Sequence, residues 1–263
     1  MMRLIDTHAH LSDLEDREGV VSRAKEAGIG AIVAVGANLE TNEATIKWSE
    51  AFPGYVYPAL GIHPTEWTQD DVPTTLRYIE EQIDRITAVA EIGLDYWDKD
   101  ARKNKDVRER QRQIYVDQLK FAKEHDKPVS VHGRGSWRDA LDLAVQHGPE
   151  NVVFHWYSGP LEILAEILDR GYLISATPAA EYSRNHRAAL AEAPLECIMM
   201  ETDSPVYLRN RRRPSEPSDL VITLRALAKL KEASEHEVAS VTTGNAKNFF
   251  RMSADAIEYI KRR

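Results

Sequence analysis

The sequence predicts a closed parallel (β/α)8 barrel, and three observations carry that expectation. Eight short apolar runs recur along the chain, each parted from the next by a stretch with helical spacing. The runs are short and almost wholly apolar, as strands buried on both faces must be, and a helical crossover between each pair permits a parallel arrangement. The length of 263 residues is what one such barrel commonly needs, so a single domain over residues 1–263 is expected.

Each element follows from local signals. Residues 4–10 read as the first strand, and residues 17–27 as a helix stopped by Gly28. A strand at 29–35 and a helix at 41–51 come next, punctuated by Pro53-Gly54. Residues 55–61 form a third strand, 70–85 a helix and 87–91 a fourth strand. The charge-crowded segment 98–109 reads as a solvated loop leading into a long helix over 107–125. Strands at 128–132, 151–155, 171–175 and 197–202 then alternate with helices at 137–147, 161–169 and 185–193. Helices at 220–231, 235–246 and 254–261 complete the outer ring and cover the barrel floor or side.

Composition narrows the class. A hydrophobic share of 43% and a charged share of 29% are those of a water-soluble globular chain. No apolar run approaches the roughly 18 residues that cross a bilayer, and the N-terminus enters a strand instead of a leader, so a cytoplasmic protein without membrane contact is expected. Cys197 is the only cysteine, lies in an apolar run, and reads as a small buried hydrophobe. The net charge of -8 argues against nucleic-acid binding through the whole surface. It leaves room for a local cationic area, since screening confines exposed charges to about 8 Å.

The chemistry gathers at strand ends. His8 and His10 stand two residues apart, so both imidazoles leave the same side of the strand. Glu91, His132, His155 and Asp203 end or closely follow later runs, where a barrel presents its reactive groups. Any one of these histidines alone reads as a hydrogen-bonded core residue. Six ligand-type residues at strand ends do not, and four histidines with two carboxylates suit two divalent ions better than one tetrahedral ion with an open position. His125, His147, His186 and His236 fall in helices or at their ends and read as solvated or capping.

On Asp6-Thr7-His8-Ala9-His10-Leu11, Gly61-Ile62-His63-Pro64, Glu91-Ile92-Gly93-Leu94-Asp95-Tyr96, Arg110-Gln111 with Gln118-Leu119, Val131-His132-Gly133-Arg134, His155-Trp156-Tyr157-Ser158-Gly159 and Glu201-Thr202-Asp203-Ser204-Pro205, the chain resembles the TatD family of metal-dependent deoxyribonucleases in the amidohydrolase superfamily. The resemblance implies two divalent ions, Zn, Mg or Mn: one on His8, His10, Glu91 and Asp203, the other on Glu91, His132 and His155. Glu91 would bridge, which suits a carboxylate with two oxygens. Asp203 would accept the proton of the attacking water, and His63 and Arg134 would contact substrate phosphate. Asp95 would receive a hydrogen bond from a ligating imidazole or cap a loop. The implied reaction is hydrolysis of DNA phosphodiesters from strand ends by a monomer.

Trp156-Tyr157 stands where many members have Cys-Phe, and Ser215-Glu216-Pro217 where many have Asn-Glu-Pro. Such changes touch the pocket walls and no expected ligand. The same metals also serve hydrolysis of an ester or amide, in a small molecule or an aminoacyl-tRNA, because fold does not select substrate. A non-catalytic metal or nucleic-acid binder is disfavoured by the full ligand set. The run Arg209-Asn210-Arg211-Arg212-Arg213 follows the last strand and would add positive potential on the metal face, or be a solvated loop. Trp67, Trp97, Trp137, Trp156 and Tyr157 lie in or near loops of that face, where rings stack bases or pack beneath loops.

Overall fold

A computed structural model of the chain describes residues 3–68 and 71–252. Eight parallel strands follow one another in chain order around the sheet: β1 (Leu4–Ala9), β2 (Ile29–Val35), β3 (Val56–Leu60), β4 (Ala88–Asp95), β5 (Val129–Arg134), β6 (Val152–Phe154), β7 (Leu173–Ala176) and β8 (Ile198–Met200). Helices α1 (Arg17–Glu26), α2 (Leu39–Ala51), α3 (Val72–Glu81), α4 (Lys105–Glu124), α5 (Trp137–His147), α6 (Leu161–Asp169) and α7 (Arg184–Glu192) form the crossovers, and α8 (Leu220–Lys231) and α9 (Glu235–Phe249) follow. The expected barrel is therefore present. The helix expected at residues 254–261 lies outside the described residues.

Side-chain caps start several of these helices: Asp16 accepts from Gly19 N, Asn38 from Thr41 N and Ser234 from Glu237 N. Inside the barrel, Ile5, Val33, Ala59, Ala88, Val153 and Met199 form one buried cluster with Phe249 and Phe250. The end of α9 thus plugs the floor, and the opposite mouth is left for chemistry.

Closure between the last and first strands sets the site. β8 ends early, and the turn after it lies against β1, with Asp203 N donating to His8 O (2.9 Å) and His10 N to Ser204 O (2.8 Å). The bonds that close the ring also fix Asp203 beside the two histidines. β4 runs four residues beyond its expected end at 91, so Glu91 lies within the strand and Asp95 at its tip. Gly93 sits between them at φ 144°, and a Cβ there would run into the His132 carbonyl of β5.

His186 is a correction. Its helical position reads as solvated, yet it is fully buried in α7. The α7 helix folds back under the mouth, so the imidazole joins two loops: Nδ1 lies 2.7 Å from Tyr157 O, and Nε2 accepts from Thr177 N (3.1 Å). Only the neutral ring satisfies both, and burial pushes its pKa down to about 4. A folded-state value below the unfolded one gives stability that is complete above the unfolded pKa, near 6.5, and lost as pH falls toward 4. The expected loss is about 3 kcal/mol at most. Urea melts at about pH 7 and about pH 4.5 check this: His186→Asn should be weaker at neutral pH but lose less on acidification than wild type, and equal losses would refute it.

Candidate metal centre

The carboxylate of Glu91, 2% exposed, is the hub of the mouth. Its Oε2 lies 3.3 Å from His8 Nε2 and 3.2 Å from His10 Nε2. Its Oε1 lies 2.7 Å from both His132 Nδ1 and His155 Nε2. Asp203 Oδ1 joins the first group at 3.6 Å from His8 Nε2 and His10 Nε2. Thus β1, the turn after β8, β4, β5 and the end of β6 deliver all six expected ligand residues to one spot. Asp203 (φ 49°) and Trp156 (φ 42°) hold left-handed backbone, a strain of about 1–3 kcal/mol each that the surrounding bonds offset.

A second layer of acceptors stands behind the imidazoles. His132 Nε2 lies 3.2 Å from Asp95 Oδ2, and His155 Nδ1 lies 3.3 Å from Glu201 Oε1. His8 Nδ1 is 3.5 Å from Ser130 Oγ. Such partners fix which ring nitrogen carries the proton and leave the other lone pair facing inward. Glu201 is a functional residue to which sequence reasoning assigns no role. It immediately follows β8, and its Oε1 also accepts from Trp156 N (3.1 Å). Two glutamines of α4 brace the loops: Gln118 grips both backbone groups of Ile62, and Gln111 accepts from Asp95 N and donates to Pro64 O.

The electrostatics of the cluster call for positive charge. Asp6, Glu91, Asp95, Glu201 and Asp203 are all buried, and among the described residues Arg134 is the guanidinium that bonds one of them. Burial works against the charge on His10, but the Glu91 bond and the Glu91 and Asp203 charges hold its pKa up at about 9. His132 and His155 are likewise raised against burial by Glu91 and their outer carboxylates. Burial opposes ionisation of Glu91 too, and the surrounding imidazoles overcome it and hold its pKa well below the usual range. Burial pushes Asp6 the other way, to about 8.

The donor set fits divalent cations. His8 Nε2 and His10 Nε2 stand 3.3 Å apart, and His155 Nε2 and His132 Nδ1 3.4 Å apart. Atoms that each lie about 2.0–2.2 Å from one tetrahedral ion stand at about this spacing. The groups His8, His10, Glu91 and His63, Glu91, His132 each bring ligand atoms within 4.8 Å of one another.

His63 approaches Glu91 Oε1 only to 3.7 Å. Thr65 N donates to its Nδ1 (3.2 Å), which occupies that lone pair and leaves the proton on Nε2, facing the cluster. Burial pushes its pKa down to about 3 despite the Glu91 charge, so it is a neutral donor. Arg134 lines the cleft, but its Nε and Nη2 bond Asp95 Oδ2 at 2.8 and 2.7 Å. The two bonds draw Asp95, against its burial, down to about 2 together with His132.

A cleft of about 1030 Å³ opens above the cluster. The arginine run beside it is neutralised in part: Arg211 pairs with Glu181 (2.6 Å) and Arg213 with Asp219 (2.6 Å), while Arg209 lies over the Tyr182 ring. The aromatic residues divide. Tyr157 is buried against Trp137, and Trp67 bonds Pro64 O and packs on the core. Trp97 and Trp156 line the cleft.

Known proteins resemble this chain over nearly its whole length. The model of the TatD related DNase family matches residues 5–251. Human deoxyribonuclease TATDN3 is 33% identical over 259 residues, covering 94% of each chain. An uncharacterised metal-dependent hydrolase of Bacillus subtilis, YabD, is 31% identical over 95% of this chain and all of its own. The crystal structure of YjjV, a TatD homologue from Escherichia coli, superposes with a TM-score of 0.86 at 27% identity, covering 96% of this chain and 99% of that one. No helix of the described residues is long and apolar enough to cross a membrane. With its family match spanning nearly the whole barrel and its ligand-type side chains meeting at the mouth, the chain belongs to the TatD family and is a metal-dependent hydrolase of that type.

Proposed function

We propose that this hydrolase cleaves DNA phosphodiesters from strand ends with two divalent cations. The observation that carries the reading is the division of Glu91, one oxygen toward His8 and His10 and the other toward His132 and His155. His8, His10, Glu91 and Asp203 would hold one cation, and Glu91, His132 and His155 the other. The imidazole-rich donors favour Zn or Mn over Mg. Bound there, the cations supply Lewis acidity and a nucleophilic water at neutral pH.

The chain's own residues supply the rest. Asp203 lines the cleft at the cluster edge and accepts the proton as the water oxygen bonds to phosphorus and the P–O bond of the leaving nucleotide breaks. His63 offers its Nε2 proton to a non-bridging phosphate oxygen, and Arg134 keeps Nη1 for the same group. The depth of Glu91 favours a strand end, which can descend into the cleft, over an uninterrupted duplex. The DNase names of the family and of the human relative support the phosphodiester as the bond attacked.

Purified protein loaded with Zn, Mn or Mg should degrade single- or double-stranded DNA, and no turnover with any of them would sink the reading. Assaying simple esters and aminoacyl-tRNA alongside separates it from a deacylase. Glu91→Ala should lose both ions, because among the described residues it is the carboxylate whose two oxygens divide between the groups; elemental analysis still finding two metals per chain would contradict the bridge. Asp203→Asn should lower kcat by about 10²–10⁴-fold while metal content falls far less. Matched losses would make Asp203 a ligand alone. Glu201→Gln should weaken metal affinity about 10–100-fold, measured by competition with a chelator, through loss of the His155 orientation.

A further inference from the structure

We infer that the turn after β4, from Trp97 to Lys105, is the surface that carries an unpaired nucleic-acid strand away from the metal centre, with Trp97 as its stacking platform. The inference rests on the phosphodiesterase reading above.

Trp97 lines the cleft yet is 66% exposed, the most exposed of the large hydrophobic side chains described. Its ring is nevertheless held. It lies against Gly135, where any Cβ would overlap the indole, and Gly135 takes φ 72°, which also favours glycine. The Cδ1–Nε1 side of the indole thus lies close to backbone while the residue stays open to solvent.

Asp95 ties this platform to the centre. Its Oδ1 accepts from Trp97 N and Asp98 N, both at 3.0 Å. Its Oδ2 faces His132 Nε2 and Arg134. One buried carboxylate therefore holds an expected metal ligand and the backbone that carries the indole. A base resting on Trp97 would stand at a fixed distance from a phosphate at the cluster.

Beyond the indole the chain turns cationic. Asp98 Oδ2 accepts from Asp100 N (2.8 Å) and Ala101 N (3.2 Å) and folds the turn on itself. Lys99, Arg102, Lys103 and Lys105 are exposed, against the two carboxylates Asp98 and Asp100 in the same turn. Among the described residues none of the four cations pairs with a carboxylate, unlike Arg211 and Arg213. In a chain of net charge -8, an unneutralised cationic turn leading from an exposed ring at the mouth matches how single strands are held, with bases on rings and phosphates along positive charge. A base inside a duplex has both faces covered by its neighbours, so the surface favours unpaired nucleotides.

Steady-state kinetics of the metal-loaded protein on oligothymidylate, alone and annealed to its complement, test this. Trp97→Ala should raise KM for the single strand about tenfold, the order that one stacked base contributes, with a smaller change in kcat. Trp97→Phe should restore most of the loss, which a purely structural role would not give. The combined Lys99, Arg102, Lys103 and Lys105→Ala variant should flatten the dependence of log(kcat/KM) on log salt by up to about 0.7 for each phosphate no longer neutralised, more for longer strands. Because these side chains are exposed, melting temperatures should stay near wild type, and the charge variant carries the test should Trp97→Ala fail to fold. Wild-type turnover with unchanged KM in Trp97→Ala and an unchanged salt slope would overturn this inference alone. Equal losses on duplex and single strand would do the same. No wild-type turnover of either substrate would overturn the parent reading with it.

Discussion

The carboxylate of Glu91, at 2% exposure, is the constraint from which the mouth of this barrel follows. Removing an ionised Glu91 from water costs several kcal/mol unless opposite charge or directed donors surround it. The surroundings are four imidazoles from β1, β5 and the end of β6, and no single strand or helix could supply them. A closed parallel barrel can, because it brings the ends of all its strands to one ring. The extension of β4 to Asp95 and the early end of β8 adapt that ring. The first sinks Glu91 below the rim, and the second lets the following turn bend inward with Asp203.

The same constraint explains the outer layer. An imidazole that must present one lone pair inward needs its other nitrogen anchored, or the ring can rotate and the tautomer change. Asp95, Glu201 and Ser130 anchor His132, His155 and His8 from behind. Two of these anchors are themselves acids, so orientation is gained at the cost of still more buried negative charge. Asp6, raised to about 8 by burial, is largely protonated at neutral pH, but the four other buried carboxyl groups, with Arg134 as the guanidinium bonded among them in the described residues, leave an excess of negative charge that divalent cations would offset. The lowered pKa of Glu91 and the raised values of His10, His132 and His155 express that excess as a demand for protons when protons alone are available.

How much of this is legible in the sequence depends on whether the signal is local. Strand order and the six ligand-type residues are readable because a period of two and the ends of apolar runs are properties of neighbouring residues. Glu91 reads as a strand end and lies inside a strand, since nothing local reveals that Ile92-Gly93-Leu94-Asp95 continues the same pairing. Glu201 stands in plain view before Asp203, but its bond to His155 spans 46 positions of sequence. His186 has the spacing of any helical surface residue, and only the way α7 folds back on the loops after β6 and β7 buries it. The arginine run stays open in the sequence for the same reason: Glu181 and Asp219 become partners of Arg211 and Arg213 only through the fold.

Asp95 shows why such distant bonds matter to chemistry as well as to packing. It could have capped a turn or oriented an imidazole, and it does both with separate oxygens. A carboxylate so divided makes the turn after β4 and the ligand on β5 one mechanical unit, further fastened by the pairing of Gly93 with His132 and of Asp95 with Arg134. A substrate group that pulled the turn outward would strain the bond to His132, and a cation drawing His132 inward would pull on the turn. The rim and the centre therefore share a constraint: whatever the turn holds is held in register with His132. A wide, open cleft built this way has one wall tied to a cluster fixed deep in the barrel.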